Sequence, residues 1–289
     1  MTDAAWDFDE LGGNVTTLDT ALGNPEGVNA QVQQALSESA SPEPVISEPE
    51  DTHYTLPGGI YWEGELLRDA EVRELTGTDE EELARVRGSV VRWMSVVLER
   101  NVVRIGNVTP TPTMLRQLLI GDRDALILGI RIASLGPEYT ARNIQCPHCE
   151  EYFDATVDLT TIHQVTLDNP KPRHEYEVQL RRGRRAFVSL PDGAAQERMF
   201  QNESATLPER NTALISACLR RVVDAEGAGL NLGGEVLARS LGMVDRTAIL
   251  RFIAETQPGP ELHNTSFVHE ACGKEVILPI TIGELFRGE

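Results

Sequence analysis

The sequence predicts an α+β protein, with a helical N-terminal bundle, zinc-ribbon-like β-hairpins, a mixed α/β insertion and an extended acidic N-terminal arm. Three observations predict it. Residues 1–53 contain no Lys or Arg, the first basic side chain being Arg68, and offer little from which to build a core. Residues 54–137 carry apolar side chains at helical spacing. Residues 138–160 and 261–289 each alternate apolar and polar side chains on both sides of a turn that holds two metal-ligand residue types, and residues 161–260 lie between them.

The arm, residues 1–53, is expected to be disordered if isolated, because so acidic a segment cannot bury enough apolar surface to offset its conformational entropy. Two islands interrupt it: Trp6, Phe8 and Leu11, then Val28, Val32 and Leu36 at helical spacing. They fit either an acidic solubilising tail or a docking arm that orders on a partner. The formal charge of -19 argues against a protein that coats phosphate backbones, since that affinity comes from Lys and Arg displacing counterions, so basic partners are expected and nucleic acid is not. Four cysteines, Cys146, Cys149, Cys218 and Cys272, are too few and too unevenly placed for a secreted disulfide framework. With no signal-peptide pattern and no apolar run of about 18 residues, a soluble intracellular product without a membrane partner is expected.

Within 54–137, "TLPGGIYWEGELLRDAEVRELTG" predicts a strand, a turn, and a short strand or bend. "TDEEELARVRGSVVRWMSVVLERNV" predicts one helix over about 79–100, opened by a capping box of Thr78 and Glu81, with Leu83, Val86, Val90, Met94 and Val97 as its apolar stripe. "TPTMLRQLL" places Thr111 as an N-cap with Pro112 at the first helical position. "GDRDALILGIRIASLG" predicts a helix that closes at Gly136-Pro137 and puts Ala125, Leu128, Ile132 and Leu135 on one face. These helices are expected to pack as a small bundle.

After Pro137 the period changes to that of strands. "EYTARNIQ", the turn "CPHCEE" and "YFDATVDL" make a hairpin whose tip is a Cys-x-x-Cys knuckle, which is half of a closed zinc site. The same pattern returns as "LHNTSFVHEACGKEVILPI", where the turn offers His269 and Cys272 and Gly273 suits a tight turn. Cys146, Cys149, His269 and Cys272 are therefore the candidate ligands of a structural zinc. The other reading is that both knuckles are plain β-turns with reduced thiols. No thioredoxin-like βαβ pattern surrounds the pair, which argues against a redox centre. A catalytic zinc would need an open position beside a carboxylate base, and Glu150, Glu151 and Glu270 read as ordinary charged turn residues.

The segment 161–260 reads as an insertion. "HEYEVQLRRGRRAFVSLP" predicts a hairpin turning at Gly183, and "PDGAAQERMFQNE", "LPERNTALISACLRRVVD", "GGEVLARSLG" and "VDRTAILRFIAET" predict four helices, the last N-capped by Asp245. Arg181, Arg182, Arg184 and Arg185 at the hairpin tip form the strongest basic cluster, suited to an acidic protein surface, to the acidic arm of a neighbouring copy, or simply to solvent. No Walker motif, Gly-rich dinucleotide loop, G-x-S-x-G elbow or H-E-x-x-H occurs, so neither an enzyme nor a small-molecule substrate is expected.

The order of these features, a Leu-Pro-Gly-Gly start, "VRELTGTDEEELAR", "GDRDALILGIRIASLG", "CPHC", a long insert, "VDRTAILRFIAE", a second knuckle and "LPITIGELFRGE", resembles the T-even-type baseplate hub assembly proteins of contractile-tailed phages over residues 55–289. In that family the knuckle cysteines are the recognisable feature. Cys146, Cys149 and Cys272 match it, and His269 departs from the all-cysteine pattern. The resemblance implies a non-enzymatic role in the tail baseplate, with other baseplate or tail proteins, and copies of itself, as partners. It implies a place in the virion after assembly in the host cytoplasm, and leaves open an assembly chaperone that departs before maturation. A zinc-ribbon regulator binding nucleic acid is the further alternative, disfavoured by the charge.

Overall fold

The structure, a computed structural model, describes residues 52–286 apart from residues 87, 172–174, 203 and 230–233. Residues 1–51 of the predicted arm, with Trp6, Phe8, Leu11, Val28, Val32 and Leu36, lie outside the described residues.

Strands β1 (Thr52–Trp62) and β2 (Glu65–Val72) form an antiparallel hairpin. Its two-residue turn, Glu63-Gly64, has positive φ at both positions (51° and 91°), the handedness that matches the twist of the flanking strands. The ladder is interrupted between Thr55 and Ile60, so that the Pro57-Gly58-Gly59 stretch leaves the sheet and reaches the helices. The third strand, β3 (Val102–Ile105), pairs with β2 and was not foreseen, because it follows a helix with no breaker between them.

The helix predicted over 79–100 is two helices, α1 (Gly77–Arg85) and α2 (Val90–Asn101). The chain breaks before Ser89, whose side chain caps α2 by accepting the Arg92 N–H, and the break turns Val91, Met94, Val97 and Leu98 to the core while Val90 faces solvent. The capping box forms two residues earlier than predicted, between Thr76 and Asp79, because Asp79 is held in place by Arg73 and Arg100. Thr111 and Pro112 open α3 (Pro112–Gln117) as expected. Helix α4 (Ile120–Leu135) ends at Gly136 as expected, but it is buried almost all round rather than on one face. Leu126, Ile127 and Ile130 pack with the β1–β3 sheet and α2, Leu128 faces a second cluster with Val157, Leu159, Leu262 and Leu285, and Leu135 is exposed. A helix apolar on every side belongs in the middle of a fold, and α4 occupies that place.

Two separate hairpins follow the predicted pattern: β4 (Glu138–Gln145) with β5 (Tyr152–Asp158), and β11 (Thr265–His269) with β12 (Lys274–Leu278). Between them the chain leaves through β6 (Gln164–Val165) and returns through β10 (Gly259–Pro260), and these two pair with each other. The insertion is thereby closed at its neck. Gly121 makes the closure possible: a Cβ there would lie 1.6 Å from the Pro258 carbonyl oxygen.

The insertion holds β7 (Glu175–Gln179), β8 (Arg185–Ser189) and β9 (Leu219–Val223) in one antiparallel sheet; α5 (Gly193–Phe200) packs outward on α2, α3 and α4 through Gln196 and Glu197, while α6 (Leu207–Cys218), α7 (Gly234–Ser240) and α8 (Met243–Thr256) share the sheet's core. Its core, built on Val188, Ile215, Val222, Ile249 and Ile253, is a cluster of its own. Two corrections apply. The helix read through "LRRVVD" stops at Cys218, where the β-branched pair Val222-Val223 joins the sheet. Helix α8 is capped at Gly242, so Asp245 is a buried first-turn residue whose carboxylate accepts the Arg181 backbone N–H (2.8 Å) and pairs with Arg184. No helix among the described residues is long and apolar enough to cross a membrane.

Candidate metal centre

The two knuckles meet. Cys146, Cys149, His269 and Cys272 each present a ligand atom, and these atoms all lie within 4.8 Å of one another. Cys146 Sγ is 3.8 Å from Cys272 Sγ, and His269 Nδ1 is 3.4 Å from Cys149 Sγ and 3.3 Å from Cys272 Sγ. In a tetrahedron with metal–sulfur bonds of about 2.3 Å and metal–nitrogen bonds of about 2.0 Å, two sulfurs lie about 3.8 Å apart and a sulfur and a nitrogen about 3.5 Å apart. The donor set therefore fits a four-coordinate closed site. It does not fit a disulfide, whose sulfurs lie about 2.05 Å apart.

Local backbone chemistry aims each ligand. In the first knuckle the Cys146 N–H donates to the Glu151 carbonyl and the Glu150 N–H donates back to the Cys146 carbonyl, each at 2.9 Å, with Glu150 in the left-handed region. In the second, the Gly273 N–H closes onto the His269 carbonyl at 2.8 Å, and Gly273 has φ 66°, which glycine adopts at no steric cost. The ring of Phe153 lies over His269 with centroids 4.3 Å apart and also touches Phe267, fixing the imidazole plane from the β5 side. His148, inside the first knuckle, points its Nε2 at the Glu275 carbonyl at 3.1 Å and so ties the first turn to β12 instead of joining the donor set. The sequence reads His148 as an exposed neighbour of the ligands and not one of them, as found; Phe153 and Phe267 were not picked out, their only signal being their phase in the strand alternation.

Cys146 and His269 are buried, Cys272 is half-buried and Cys149 is exposed. Burial opposes ionisation of Cys146, but the N–H groups of His148 and Cys149 and the neighbouring thiols of Cys149 and Cys272 outweigh it and bring the thiol down to about 6. At Cys149 the Glu151 N–H favours the thiolate, and is outweighed by burial and the thiols of Cys146 and Cys272, which push it up. Binding of a cation by thiols requires their deprotonation, which the surroundings of Cys146 favour. The fourth cysteine, Cys218, sits apart in the insertion core with its thiol pushed up to about 12 by burial, unsuited to ligation.

The basic cluster is placed at the tip between β7 and β8. Arg181 and Arg182 are exposed there, Arg184 is drawn to Asp245, and Arg185 lies 3.7 Å from Glu177.

The family described as T4 bacteriophage base plate protein matches residues 65–287, a span that holds both knuckles, the neck and the whole insertion. No curated protein and no solved structure matches the chain.

Proposed function

The chain belongs to the T4 bacteriophage base plate protein family, and from that premise we propose that it is a non-enzymatic structural component of the contractile tail baseplate. The observation that carries this reading is the extent of the family match, which takes in nearly all of the described body. Other baseplate or tail proteins, and copies of the same chain, are its partners. The contacts are assigned to the arm, through Trp6, Phe8, Leu11, Val28, Val32 and Leu36, and to the Arg181, Arg182, Arg184 and Arg185 tip. The protein is assembled in the host cytoplasm and resides in the virion tail.

In this reading Cys146, Cys149, His269 and Cys272 hold one structural Zn2+, with His269 ligating through Nδ1. The metal's contribution is stability: four ligands leave no open position for a substrate or a reactive water.

The test is a phage carrying a deletion of residues 1–52. The truncated protein is expected to fold, keep its zinc and be absent from purified virions, whereas the full-length protein is present in them. Full-length protein missing from virions but needed to form baseplates would make it a departing chaperone instead. Normal incorporation of the truncated form would refute the arm's role.

A further inference from the structure

Beside the metal centre, a groove of about 750 Å³ runs between β5 and β11. Each strand belongs to a two-stranded sheet, so the side that each turns to the groove has no strand partner among the described residues. Tyr152 and Val268, 61% and 65% exposed, stand on its rims, and Phe153 and Phe267 touch across its floor. Unpaired strand edges next to exposed apolar side chains are the ordinary ingredients of strand addition, in which main-chain hydrogen bonds give affinity and alternate side chains give selectivity.

The charge of the groove selects the occupant. Glu151, Asp154 and Glu270 line it, and no Lys or Arg does. Asp154 accepts the N–H of Asn143 in β4 at 2.8 Å, on the paired side of β5, so the exposed Glu151 and Glu270 carry the charge that an incoming segment meets at the open edge. The chain's own arm carries no basic residue before Arg68 and would be repelled. Its basic cluster, Arg181 to Arg185, is already folded into the β7–β8 tip. A second groove of about 700 Å³ lies between β4 and the end of β12, but it mixes Arg131 and Arg142 with Glu138 and Glu284 and expresses no such preference.

We propose that the β5–β11 groove takes an extended basic segment of a neighbouring protein, which pairs its backbone with the open edge of β5 and lays alternate apolar side chains on Tyr152 and Val268. The zinc knuckles then have a second consequence, since they hold β5 and β11 at the spacing that forms the groove. The opposing possibility is that the carboxylates only protect an idle edge from association.

Binding is read on the purified, zinc-loaded full chain, independently of whether the protein stays in the virion. The probes are short capped peptides alternating Lys with Val, the same peptides with Glu for Lys, and a version with Pro at the central Val positions. The Lys–Val peptide is expected to bind and to slow amide exchange in residues 152–156, while the Glu–Val and Pro-containing peptides bind at least about tenfold more weakly. Reversal of the exposed rim charges by Glu151→Lys with Glu270→Lys is expected to weaken the Lys–Val peptide by about tenfold and to strengthen the Glu–Val peptide. If that variant misfolds, Val268→Lys, at an exposed position, gives the same reading for the Lys–Val peptide. No binding by the Lys–Val peptide, equal binding by the Pro version, or exchange slowed elsewhere overturns the proposal. So does self-association of the chain through residues 152–156.

Discussion

Asp79 shows how one side chain organises its surroundings. Fully buried, it accepts hydrogen bonds from Arg73, Arg100 and both the N–H and hydroxyl of Thr76, joining the end of β2, the start of α1 and the end of α2. Burial pushes its pKa up, but the hydrogen bonds from Arg73, Thr76 and Arg100 outweigh this and hold the carboxyl well below the usual carboxylate range. Asp79→Ala is expected to cost about 3 kcal/mol, because it strands two guanidinium groups. Asp122 and Asp124 on α4 behave in the opposite way. Burial pushes them up to about 6 and about 7, although Asp122 accepts the Gly58 and Gly59 N–H groups. The signs therefore differ. The lowered group contributes stability above the unfolded value of about 3.9, and this is lost as pH falls through its folded pKa; the raised pair favours folding most below about 3.9, and this is lost as pH rises through 6 to 7. Urea unfolding is expected to show a fall in stability between pH 4 and 7 that is flatter in Asp122→Asn, and a separate acid limb missing from Asp79→Ala. Identical pH slopes in wild type and Asp122→Asn would contradict the first assignment.

Among the elements, the contact between α4 and β10 is the least forgiving. Because the Gly121 position faces backbone, which cannot rotate away, Gly121→Ala is expected to destabilise by at least about 3 kcal/mol or to open the neck of the insertion. Gly129→Ala, on the same helix, meets the Tyr54 ring first and is expected to cost less, since a ring can turn aside. Thermal unfolding of the two variants side by side checks the order. Elements with explicit boundary chemistry were legible in the sequence: Thr111-Pro112 at α3, Gly136 after α4, and the knuckle turns of both hairpins. The junctions at Asn101-Val102 and Cys218-Leu219 were not, because there a helix runs directly into a strand and only β-branched residues mark the change. The break before Ser89 was missed because the apolar stripe continues in phase across it. The four candidate ligands were legible from spacing alone. What brings them together was not: the β6–β10 pairing that closes the neck uses two residues on each side and leaves no periodic trace.

For the whole molecule, two of the three apolar clusters among the described residues are expected to depend differently on the proposed zinc. The cluster of Leu128, Val157, Leu159, Leu262, Ile280 and Leu285 joins α4 to the roots of both hairpins, while the insertion core shares none of these residues. Cys146 and Cys272 are 126 residues apart, so a metal that joins them removes a large loop from the unfolded ensemble and holds two hairpins that share no backbone pairing. A closed zinc site is worth on the order of 10 kcal/mol, more than a pair of two-stranded sheets can supply unaided. Chelation of the proposed zinc is therefore expected to abolish amide protection in β4, β5, β11 and β12 and to weaken it in the cluster around Leu128. The sheet of β7, β8 and β9, with its own helices and neck, is expected to keep its protection. Hydrogen exchange before and after chelation, with Cys146→Ser/Cys272→Ser as the metal-free comparison, distinguishes this from a single cooperative unit. A uniform loss across both cores would mean that the neck transmits unfolding into the insertion. Unchanged protection in the hairpins would mean that the knuckles fold as ordinary turns and that a metal contributes nothing to them.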